Sequence, residues 1–496
     1  MKKLVLFLLP LSLQLPLIAQ SDLDMLRYAQ SNINGDARFI AMGGSFGALG
    51  ANSSCMNFNP AGIGLFRKGE ISMNLGFRGT TASSNHYNYE KSDFKFTPML
   101  GYFAWCLSKE SKNPYTTESS KKKFPDYSRR HTFGLSINKT ANFNSNVNIE
   151  GYVKNKSIVD DFLNYAQGYT PENLNYFYEG MAFNTYLIDT LPGSISQYGT
   201  YYNRNGTYKQ SKQIASQGGI SELSFAYAFA IDNKYYLGAS LGIPSIRYEN
   251  NSILTESDSS NSVENFNQLY LEELLQTRGI GINLKLGGIA RINSNLRIGA
   301  YFHSPTKIRL NDTYESYLEV KYDSLFGYTN LILSDSSGQG EFTYSITTPM
   351  RYGASVGVLF NKFLAFNIDA EFINYAQGYL KSEPDYFQSI NKEIRKKYKN
   401  VSNLRLGTEI NLNPFLIRFG FATYGSPFGN ILSGKFIRNA YSTGLGYRPE
   451  GKWYFDAALV HSRQAEEYFL YNPELIQAST IAHKSTQLIL TAGFRF

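Results

Sequence analysis

The amino-acid sequence predicts an all-β fold, a 14-stranded antiparallel transmembrane β-barrel with an N-terminal plug (a hatch) in its lumen. Three observations predict this fold. A secretory leader opens the chain, segments with alternating apolar and polar residues follow, and the connections between those segments alternate between long and short. Together these features indicate an exported chain whose strands close into a ring in the outer membrane of a Gram-negative cell.

The first nineteen residues are typical of a secretory signal peptide. Two lysines give a positive start, an apolar run follows from Leu4 to Ile18, and Ala19 offers a small residue for cleavage. The run is interrupted by prolines and is shorter than the ~20 apolar residues that a spanning helix needs. We therefore expect residues 1–19 to be removed on export.

Composition excludes several classes of function. Loss of the leader removes two lysines and no acid, which lowers the formal net charge from +8 to +6. This charge is spread along the chain, whereas a nucleic-acid partner would need a concentrated basic face. A second long apolar run is missing, which argues against a helical membrane protein. The aromatic content of 15%, almost all Tyr and Phe, fits a barrel.

The cysteines and histidines do not indicate a metal site. The five histidines lack metal-binding spacing, and Cys55 and Cys106 cannot complete a zinc site without other ligands. We expect no metal and no cofactor. For the two cysteines, a single disulfide and two free thiols both remain open.

Strict alternation marks the strands of the barrel. From Leu404 to Leu412, leucine, threonine and isoleucine occupy one face, while Arg405, Gly407 and Glu409 lie on the other. A soluble sandwich would turn the apolar face to a core, whereas a membrane barrel turns it to lipid and lines its lumen with the polar face. Alternation alone does not decide between these two folds.

The lengths of the connections favour the barrel. Short turns at 232–233, 293–294, 361–362, 413–414 and 449–451 alternate with long segments at 144–219, 249–277, 310–348, 375–401, 425–437 and 464–484. An up-and-down barrel with short periplasmic turns and long outer loops has this rhythm, and a Greek-key sandwich has no reason for it. The fourteen predicted strands cover 69–79, 95–108, 131–143, 220–231, 234–248, 278–292, 295–309, 349–360, 363–374, 402–413, 414–424, 438–448, 452–463 and 485–496.

This count places both termini in the periplasm and residues 68–496 in the barrel. The largest extracellular loop is then 144–219. One connection, the charged stretch 109–130, breaks the rhythm, since it falls on the periplasmic side and is long.

Residues 20–67 precede the first strand and do not alternate. Glycine-rich runs at 41–50 and 57–64 allow turns and close backbone packing. Apolar residues such as Phe39, Met42 and Phe46 would be poorly placed in a free periplasmic tail. We therefore expect this segment to fold into the lumen as a plug.

The run AMGGSFGALGANSS followed by NFNPAGIG, at the head of this strand layout, resembles the FadL/TodX-type outer-membrane transporters of fatty acids and hydrocarbons, particularly the branch common in Bacteroidetes. Two further segments resemble that family, 296–306 and 444–449. The resemblance is most specific at Asn59, Pro60, Ala61 and Gly62, which match the family's hatch motif.

Membership would imply passive uptake of hydrophobic small molecules. Ligand would enter an apolar outer groove, reach a pocket near the hatch, and leave sideways through a gap in the barrel wall. The best candidates for the groove lie in the loop 144–219, where aromatic residues and a methionine cluster. They are Phe162, Tyr165, Phe177, Met181 and Phe183. Packing of the loops against each other to cap the barrel is the equally weighted alternative.

The expected partners follow from this location. They are a hydrophobic small-molecule ligand, the lipid of the outer membrane, and the barrel-assembly machinery through the C-terminal Phe496. We expect a monomer that binds no nucleic acid.

Some patterns resemble catalytic motifs. Gly238-Ala-Ser240-Leu-Gly242 and Gly353-Ala-Ser355-Val-Gly357 match G-x-S-x-G, but each lies within an alternating strand and lacks the strand-to-helix turn of a nucleophile elbow. We therefore expect no catalytic residues and no enzyme. The alternatives to hydrophobic transport are a general porin for polar solutes, a surface adhesin or haem-related receptor, and an outer-membrane hydrolase in which His303 would need a neighbouring serine.

Overall fold

The computed structural model describes most of the chain. The described residues are 21–30, 32, 34–111, 129–202, 204–259, 261–361, 363–429 and 436–496. The expected signal peptide and residues 112–128 of the charged stretch lie outside them. Among the described residues, no helix is both long and apolar enough to cross a membrane.

Strands dominate the described residues. The helices are α1 (Asp22–Ala29), α2 (Ala37–Ala41), α3 (Val159–Ala166), α4 (Glu179–Asn184) and α5 (Gln388–Lys397). Short 3-10 helices cover Ser53–Asn57, Pro60–Leu65, Pro171–Asn173 and Tyr375–Gln377. The strands are β1 (Glu70–His86), β2 (Tyr89–Ser111), β3 (Arg129–Asn142), β4 (Ser145–Lys154), β5 (Asp189–Thr190), β6 (Tyr198–Gly199), β7 (Thr207–Ile231), β8 (Tyr235–Asp258), β9 (Phe266–Arg291), β10 (Leu296–His303), β11 (Lys307–Leu325), β12 (Tyr328–Ser336), β13 (Gly340–Thr347), β14 (Arg351–Phe360), β15 (Leu364–Asn374), β16 (Tyr379–Lys381), β17 (Asn400–Leu412), β18 (Phe415–Tyr424), β19 (Arg438–Tyr447), β20 (Trp453–Tyr468) and β21 (Ser479–Arg495).

Fourteen of these strands close into an antiparallel barrel. In order around the wall they are β1, β2, β3, β7, β8, β9, β10, β14, β15, β17, β18, β19, β20 and β21. The first and last strands complete the ring, with a register that runs from Glu70 opposite Arg495 to Asn85 opposite Thr480. The predicted fold class is confirmed, and each of the fourteen predicted strands overlaps one of these.

The two faces of the wall differ in polarity as the alternation predicts. On β17, Leu404 points outward and is 39% exposed, while Arg405 points inward and is 4% exposed. Exposed apolar side chains recur in this way around the ring and form a belt that would meet lipid. Members of the belt include Met73, Leu75, Phe103, Phe133, Ile137, Phe225, Leu241, Ile282, Leu284, Ile298, Val356, Ile368, Phe419, Leu445, Leu459 and Leu488.

Apart from the connection between β2 and β3, short turns join the strands at the end of the barrel that holds Glu70 and Arg495, which we call the near end. The turn between β7 and β8 is an example. Asp232 and Asn233 adopt positive φ angles of 54° and 49°, which aspartate and asparagine tolerate better than most residues. The Lys234 N–H then donates to the Ile231 carbonyl at 2.9 Å and closes the turn.

At the opposite end of the barrel, here called the far end, the strands extend further than the sequence predicts. Most of 249–277 and 310–348, expected to be connections, extends β8 and β9 or forms β11, β12 and β13. Beyond the belt no lipid face requires apolar residues, so the alternation that marks a strand fades. The outer part of β9 has polar residues on both faces, such as Glu272 and Glu273. It therefore lacks the alternation by which a strand is predicted.

The interior of the far end is filled by a large apolar group, here called the far-end cluster. Helices α3 and α4 supply its centre, and wall strands on several sides of the barrel supply its rim. Its buried members include Ala82, Ile149, Val159, Phe162, Met181, Ala182, Tyr208, Leu254, Phe266, Leu269, Leu318, Tyr322 and Ile481. Helix α4 is held to β11 by the Tyr322 hydroxyl, which donates to the Thr185 carbonyl at 2.9 Å.

The segment before β1 runs through the middle of the ring. Helix α2 contacts β18, β19, β20 and β21, whereas the 3-10 helix Pro60–Leu65 contacts β7, β8 and β9 on another part of the wall. Apolar side chains of the segment, such as Phe39, Met42 and Phe46, are buried among lumen-facing wall residues. Contacts with strands on several sides of the wall place residues 34–66 inside the barrel.

Candidate functional site

Asn59 organises the segment that matches the hatch motif. Its side-chain oxygen accepts from the Ala61 N–H at 3.3 Å, which caps the 3-10 helix that Pro60 begins. Its side-chain nitrogen donates to the Gly47 carbonyl at 2.6 Å and toward the Gly288 carbonyl of β9 at 3.4 Å. The residue is fully buried. Asn59 therefore ties two parts of the N-terminal segment to each other and to the wall.

The next residues of the motif continue this packing. Pro60 and Ala61 are buried, and the Gly62 carbonyl accepts from the Ala51 N–H at 2.9 Å. The structure thus brings Asn59, Pro60, Ala61 and Gly62 into one compact turn.

Two wall glycines make room for this turn. A Cβ at Gly238 would lie 2.5 Å from the Ala61 nitrogen, and a Cβ at Gly287 would overlap the Asn59 side-chain oxygen. Gly238 is also the first glycine of a G-x-S-x-G pattern, so contact with the motif explains that glycine. Ser240 itself is 1% exposed and lies opposite Lys285 on β9.

Charged side chains anchor the segment to the wall. Arg38 donates to both oxygens of the Glu409 carboxylate, from Nε and from Nη2, at 2.8 Å each. The buried Arg418 donates to the same carboxylate at 2.6 Å and to Asp456 at 2.7 Å. The lumen position of Glu409 follows from the alternation of β17. Its partner Arg38 could not be predicted, because the pairing joins positions 371 residues apart.

Other wall side chains bond to the backbone of the segment. The Asp369 carboxylate accepts from the Phe46 N–H at 2.8 Å, and Arg297 donates to the Leu49 carbonyl at 2.6 Å. His303 contacts the Phe58 carbonyl through Nε2 at 2.6 Å. His303 is thus a lumen residue that holds the segment.

A cavity of about 610 Å³ lies between α1, the following residues and the lumen faces of β1 to β4 and β18 to β21. More than half of its lining side chains are polar or charged, including Asn74, Asn138 and Gln487. Arg78 and Lys139 also face it. The cavity is therefore amphipathic, with apolar patches such as Leu26 between hydrogen-bonding groups.

The wall is interrupted next to this cavity. β2 and β3 are paired from Tyr102 opposite Asn138 down to the near end, whereas the remainder of β2, residues 89–101, pairs only with β1 in the described part of the chain. Across from it, the end of β3 and all of β4 pair with β7. This opening in the backbone ladder is here called the wall break.

The wall break borders the cavity. Met99, Gly101 and Asn142 stand at its edges and also line the cavity. The Asn142 side-chain nitrogen donates to the Met99 sulfur at 3.2 Å across the break. Further toward the far end, Lys95 on β2 crosses it with bonds to the Asn146 side-chain oxygen at 3.0 Å and the Ser216 carbonyl at 3.1 Å. Phe96, on the outer face beside the break, is 60% exposed. The sequence did not locate this feature, although the run Asn142-Phe143-Asn144 interrupts the alternation there.

The five predicted groove residues do not form one open groove. Phe162 and Met181 are fully buried in the far-end cluster, and Phe183 packs partly buried against it. Tyr165 is 54% exposed, and Phe177 packs on Tyr314 with ring centroids 4.8 Å apart. In the described residues, the arrangement is the one expected of loops that pack together to cap the barrel.

Cysteines and acids give no metal centre in the described part of the chain. Cys55 and Cys106 are buried free thiols. No group of three or more His, Cys, Asp or Glu side chains that could hold an ion is found among the described residues.

Comparison with known proteins gives one family and one fold. A family model described as outer membrane protein transport protein (OMPP1/FadL/TodX) matches residues 191–491. No curated protein sequence matches the chain. Among solved structures, a Pseudomonas aeruginosa FadL homologue superposes with a TM-score of 0.53 and 12% identity over 94% of this chain and 99% of the other.

Two further structures are similar at the same level. The P. putida toluene transporter TodX gives a TM-score of 0.52, and the CymD monoaromatic hydrocarbon channel gives 0.50. Both are 12% identical, with 94% of this chain and 99% of the other covered. At this identity the likeness establishes a shared fold.

Proposed function

Because the chain belongs to the OMPP1/FadL/TodX family of outer-membrane transport proteins, we propose that it takes up hydrophobic small molecules passively across the outer membrane. The route we propose runs from the far end into the lumen cavity and then sideways through the wall break. The observation that carries this proposal is that the cavity and the wall break share the residues Met99, Gly101 and Asn142.

A sideways exit suits an apolar solute. Such a solute gains ~25 cal/mol for each Å² of surface that leaves water, so a path that returns it to water would lose that gain. The wall break lies level with exposed apolar residues such as Phe96 and Ile137, which would face lipid. A solute in the cavity could therefore pass directly into the membrane.

The N-terminal segment supports the same route, because it occupies the direct path along the barrel axis. We assign residues 20–67 as the hatch, with Asn59, Pro60, Ala61 and Gly62 as its gate. The part-buried ion pair between Arg38 and Glu409 favours a hatch that stays in place while solute leaves sideways.

Orientation follows from the signal peptide at 1–19 and the parity of the strands. We place the near end, with both termini, in the periplasm and the far end outside the cell. Phe496 lies at the near end, where its carbonyl accepts from the Gly69 N–H at 3.0 Å and its side chain is 43% exposed. This position leaves the ring accessible to the barrel-assembly machinery. We assign the working form as a monomer in outer-membrane lipid.

A disulfide across the wall break tests the route. In a background with Cys55→Ala and Cys106→Ala, Met99→Cys and Asn142→Cys are combined and oxidised. Uptake of radiolabelled toluene and of a radiolabelled long-chain fatty acid should then fall at least tenfold and recover on reduction. The matched control, Ala104→Cys with Ser136→Cys, links positions already paired in the intact part of the wall. Equal uptake by the oxidised and reduced forms of the first pair would exclude the sideways route.

A channel for polar solutes is the second candidate, and the polar lining of the cavity favours it. Ion conductance in planar bilayers separates the two. A large and steady open pore in the wild-type protein would support the porin and contradict a hatch that closes the lumen.

A further inference from the structure

Three carboxyl groups are buried within or under the far-end cluster. Asp161 on α3 and Glu179 on α4 are 4% and 6% exposed, and Glu256 on β8 is fully buried. All three lie beyond the apolar belt, in the part of the chain that we place outside the membrane. Residues 157–184, which contain both helices, are here called the cap.

Glu256 links the cap to the wall beneath it. Its carboxyl accepts from the Ser157 hydroxyl at 2.5 Å, the Ile158 N–H at 3.0 Å and the Gln210 side chain at 2.7 Å. Gln210 on β7 also donates to the Tyr471 hydroxyl at 3.0 Å. One carboxyl therefore holds the start of α3 and connects it with a wall strand and with the last far-end loop.

The other two carboxyls join parts of the cap to each other. Asp161 accepts from the Tyr178 hydroxyl at 2.7 Å, which ties α3 to the segment before α4. Glu179 accepts from the Asn175 N–H at 2.7 Å, which holds the start of α4.

Cations do not balance these three acids in the described part of the chain. The ion pairs of this region use other carboxylates, and they are Lys91–Glu150, Lys209–Glu150, Arg204–Asp160 and Lys212–Glu273. The titratable groups that face Glu256 are Tyr202, Tyr208 and Tyr471, with His86 adjoining Gln210. Those that face Asp161 and Glu179 are Tyr165, Tyr178, Tyr198 and each other.

Ionisation of an uncompensated buried carboxyl is costly, because the charge loses its water. Burial raises the pKa of Glu256 from 4.5 to about 7, and its three donors offset part of this rise. Burial likewise raises the pKa of Asp161 and of Glu179. The cap and the wall beneath it thus hold three acids whose charged forms oppose the closed packing of the cap.

We propose that the cap is a proton-sensitive lid over the far mouth of the barrel, closed while Asp161, Glu179 and Glu256 are protonated and loosened when they ionise. The lid's role in admitting solute rests on the proposed function, whereas its response to protons does not. Because the far-end cluster fills the interior above the cavity, loosening the cap is the step that would open a path from outside.

Hydrogen exchange on the full-length purified protein in detergent tests the proposal. Amides of α3 and α4 are followed at pH 5 and pH 8, with exchange corrected for its intrinsic pH dependence. The opening equilibrium of the cap should rise roughly tenfold or more, since one pKa unit corresponds to a factor of ten. Amides of β17, within the wall, should not change and serve as the internal control.

Variants decide whether these acids cause the response. The triple variant with Asp161→Asn, Glu179→Gln and Glu256→Gln should keep the cap protected at both pH values. If that variant does not fold, Glu256→Gln alone should remove the largest part of the change in cap exchange between pH 5 and pH 8. Glu172→Gln, an exposed acid of the cap, should behave as wild type. A wild-type cap equally protected at pH 5 and pH 8, or a pH response that survives these substitutions, would overturn the proposal.

Uptake measured at the same two pH values separates the proposed transport function from the proton response of the lid. If the exchange response is present but no apolar solute enters at either pH, the transport function fails and the lid's proton response stands. If solute enters but the exchange does not depend on pH, the lid alone is excluded.

Discussion

Arg38 and Glu409 form a two-point ion pair inside the barrel, with both guanidinium contacts at 2.8 Å. Arg38 belongs to the N-terminal segment and Glu409 to the wall strand β17, so this pair joins the proposed hatch to the barrel. Arg418 donates to the same carboxylate, at the oxygen that also accepts from Arg38 Nε. The hatch is therefore fixed by charge as well as by apolar packing.

Removing the arginine should free this side of the hatch. We expect Arg38→Ala to weaken its attachment by about 1.5–3 kcal/mol, because two charge-assisted hydrogen bonds are lost while Arg418 still compensates the charge of Glu409. Bilayer conductance and sensitivity of cells to large antibiotics should increase, while the barrel stays folded by far-ultraviolet circular dichroism. Arg67→Ala, at an exposed position near the end of the same segment, is the control. If the Arg38 variant has the same conductance and antibiotic sensitivity as that control, the pair does not hold the hatch.

The contact between Asn59 and the wall gives a sharper test, because two adjacent glycines on β9 face opposite sides. A Cβ at Gly287 would overlap the Asn59 oxygen, whereas a Cβ at Gly288 would meet only Leu237 on the outer face, at 3.5 Å. We expect Gly287→Ala to displace the gate and raise conductance severalfold, and Gly288→Ala to leave it unchanged. Equal conductance in the two variants would argue against a gate at this turn.

Asn59→Ala should also displace the gate. It removes the bonds to the Gly47 and Gly288 carbonyls and leaves the buried Gly47 carbonyl without this donor, a cost of about 1–3 kcal/mol. Leakage of small solutes should rise without unfolding of the barrel. Leakage and ligand uptake that both remain at wild-type levels would show that the gate assignment is wrong.

The pH dependence of cap stability follows from Glu256. Its pKa is about 7 in the folded protein and 4.5 when exposed, so the folded state binds the proton more tightly. Its contribution to stability is therefore fully present below pH 4.5 and is lost as the pH rises toward 7 and above. Limited proteolysis of the cap should be faster at pH 8 than at pH 5, and Glu256→Gln should reduce that difference. Cleavage faster at pH 5 in the wild type would reverse the assigned sign.

Much of the barrel could be predicted because lipid imposes a simple rule on each strand. Where a strand faces the belt, as from Leu404 to Leu412, apolar and polar residues must alternate, and the alternation also places Arg405 and Glu409 in the lumen. Where strands rise beyond the belt, as in the outer half of β9, that rule no longer applies, and the sequence predicts a loop in place of a strand.

The site was less predictable, because it depends on contacts between distant residues. The motif from Asn59 to Gly62 could be singled out by its resemblance to a family, yet its partners Gly238 and Gly287 lie on strands far along the chain. The wall break is a missing set of backbone bonds between β2 and β3, and backbone bonding leaves little trace in the identity of side chains.

The groove residues test whether the cap binds ligand or only packs. Phe162 is fully buried in the far-end cluster, whereas Tyr165, on the same helix, is 54% exposed. As a core residue, Phe162 should cost about 3–5 kcal/mol of local cap stability when replaced by alanine, and Tyr165→Ala should cost little. Hydrogen exchange of α3 measures the stability, and binding of a fluorescent apolar probe measures the affinity. A groove would give the opposite pattern, in which Phe162→Ala and Tyr165→Ala both weaken probe binding while the exchange of α3 stays at the wild-type rate.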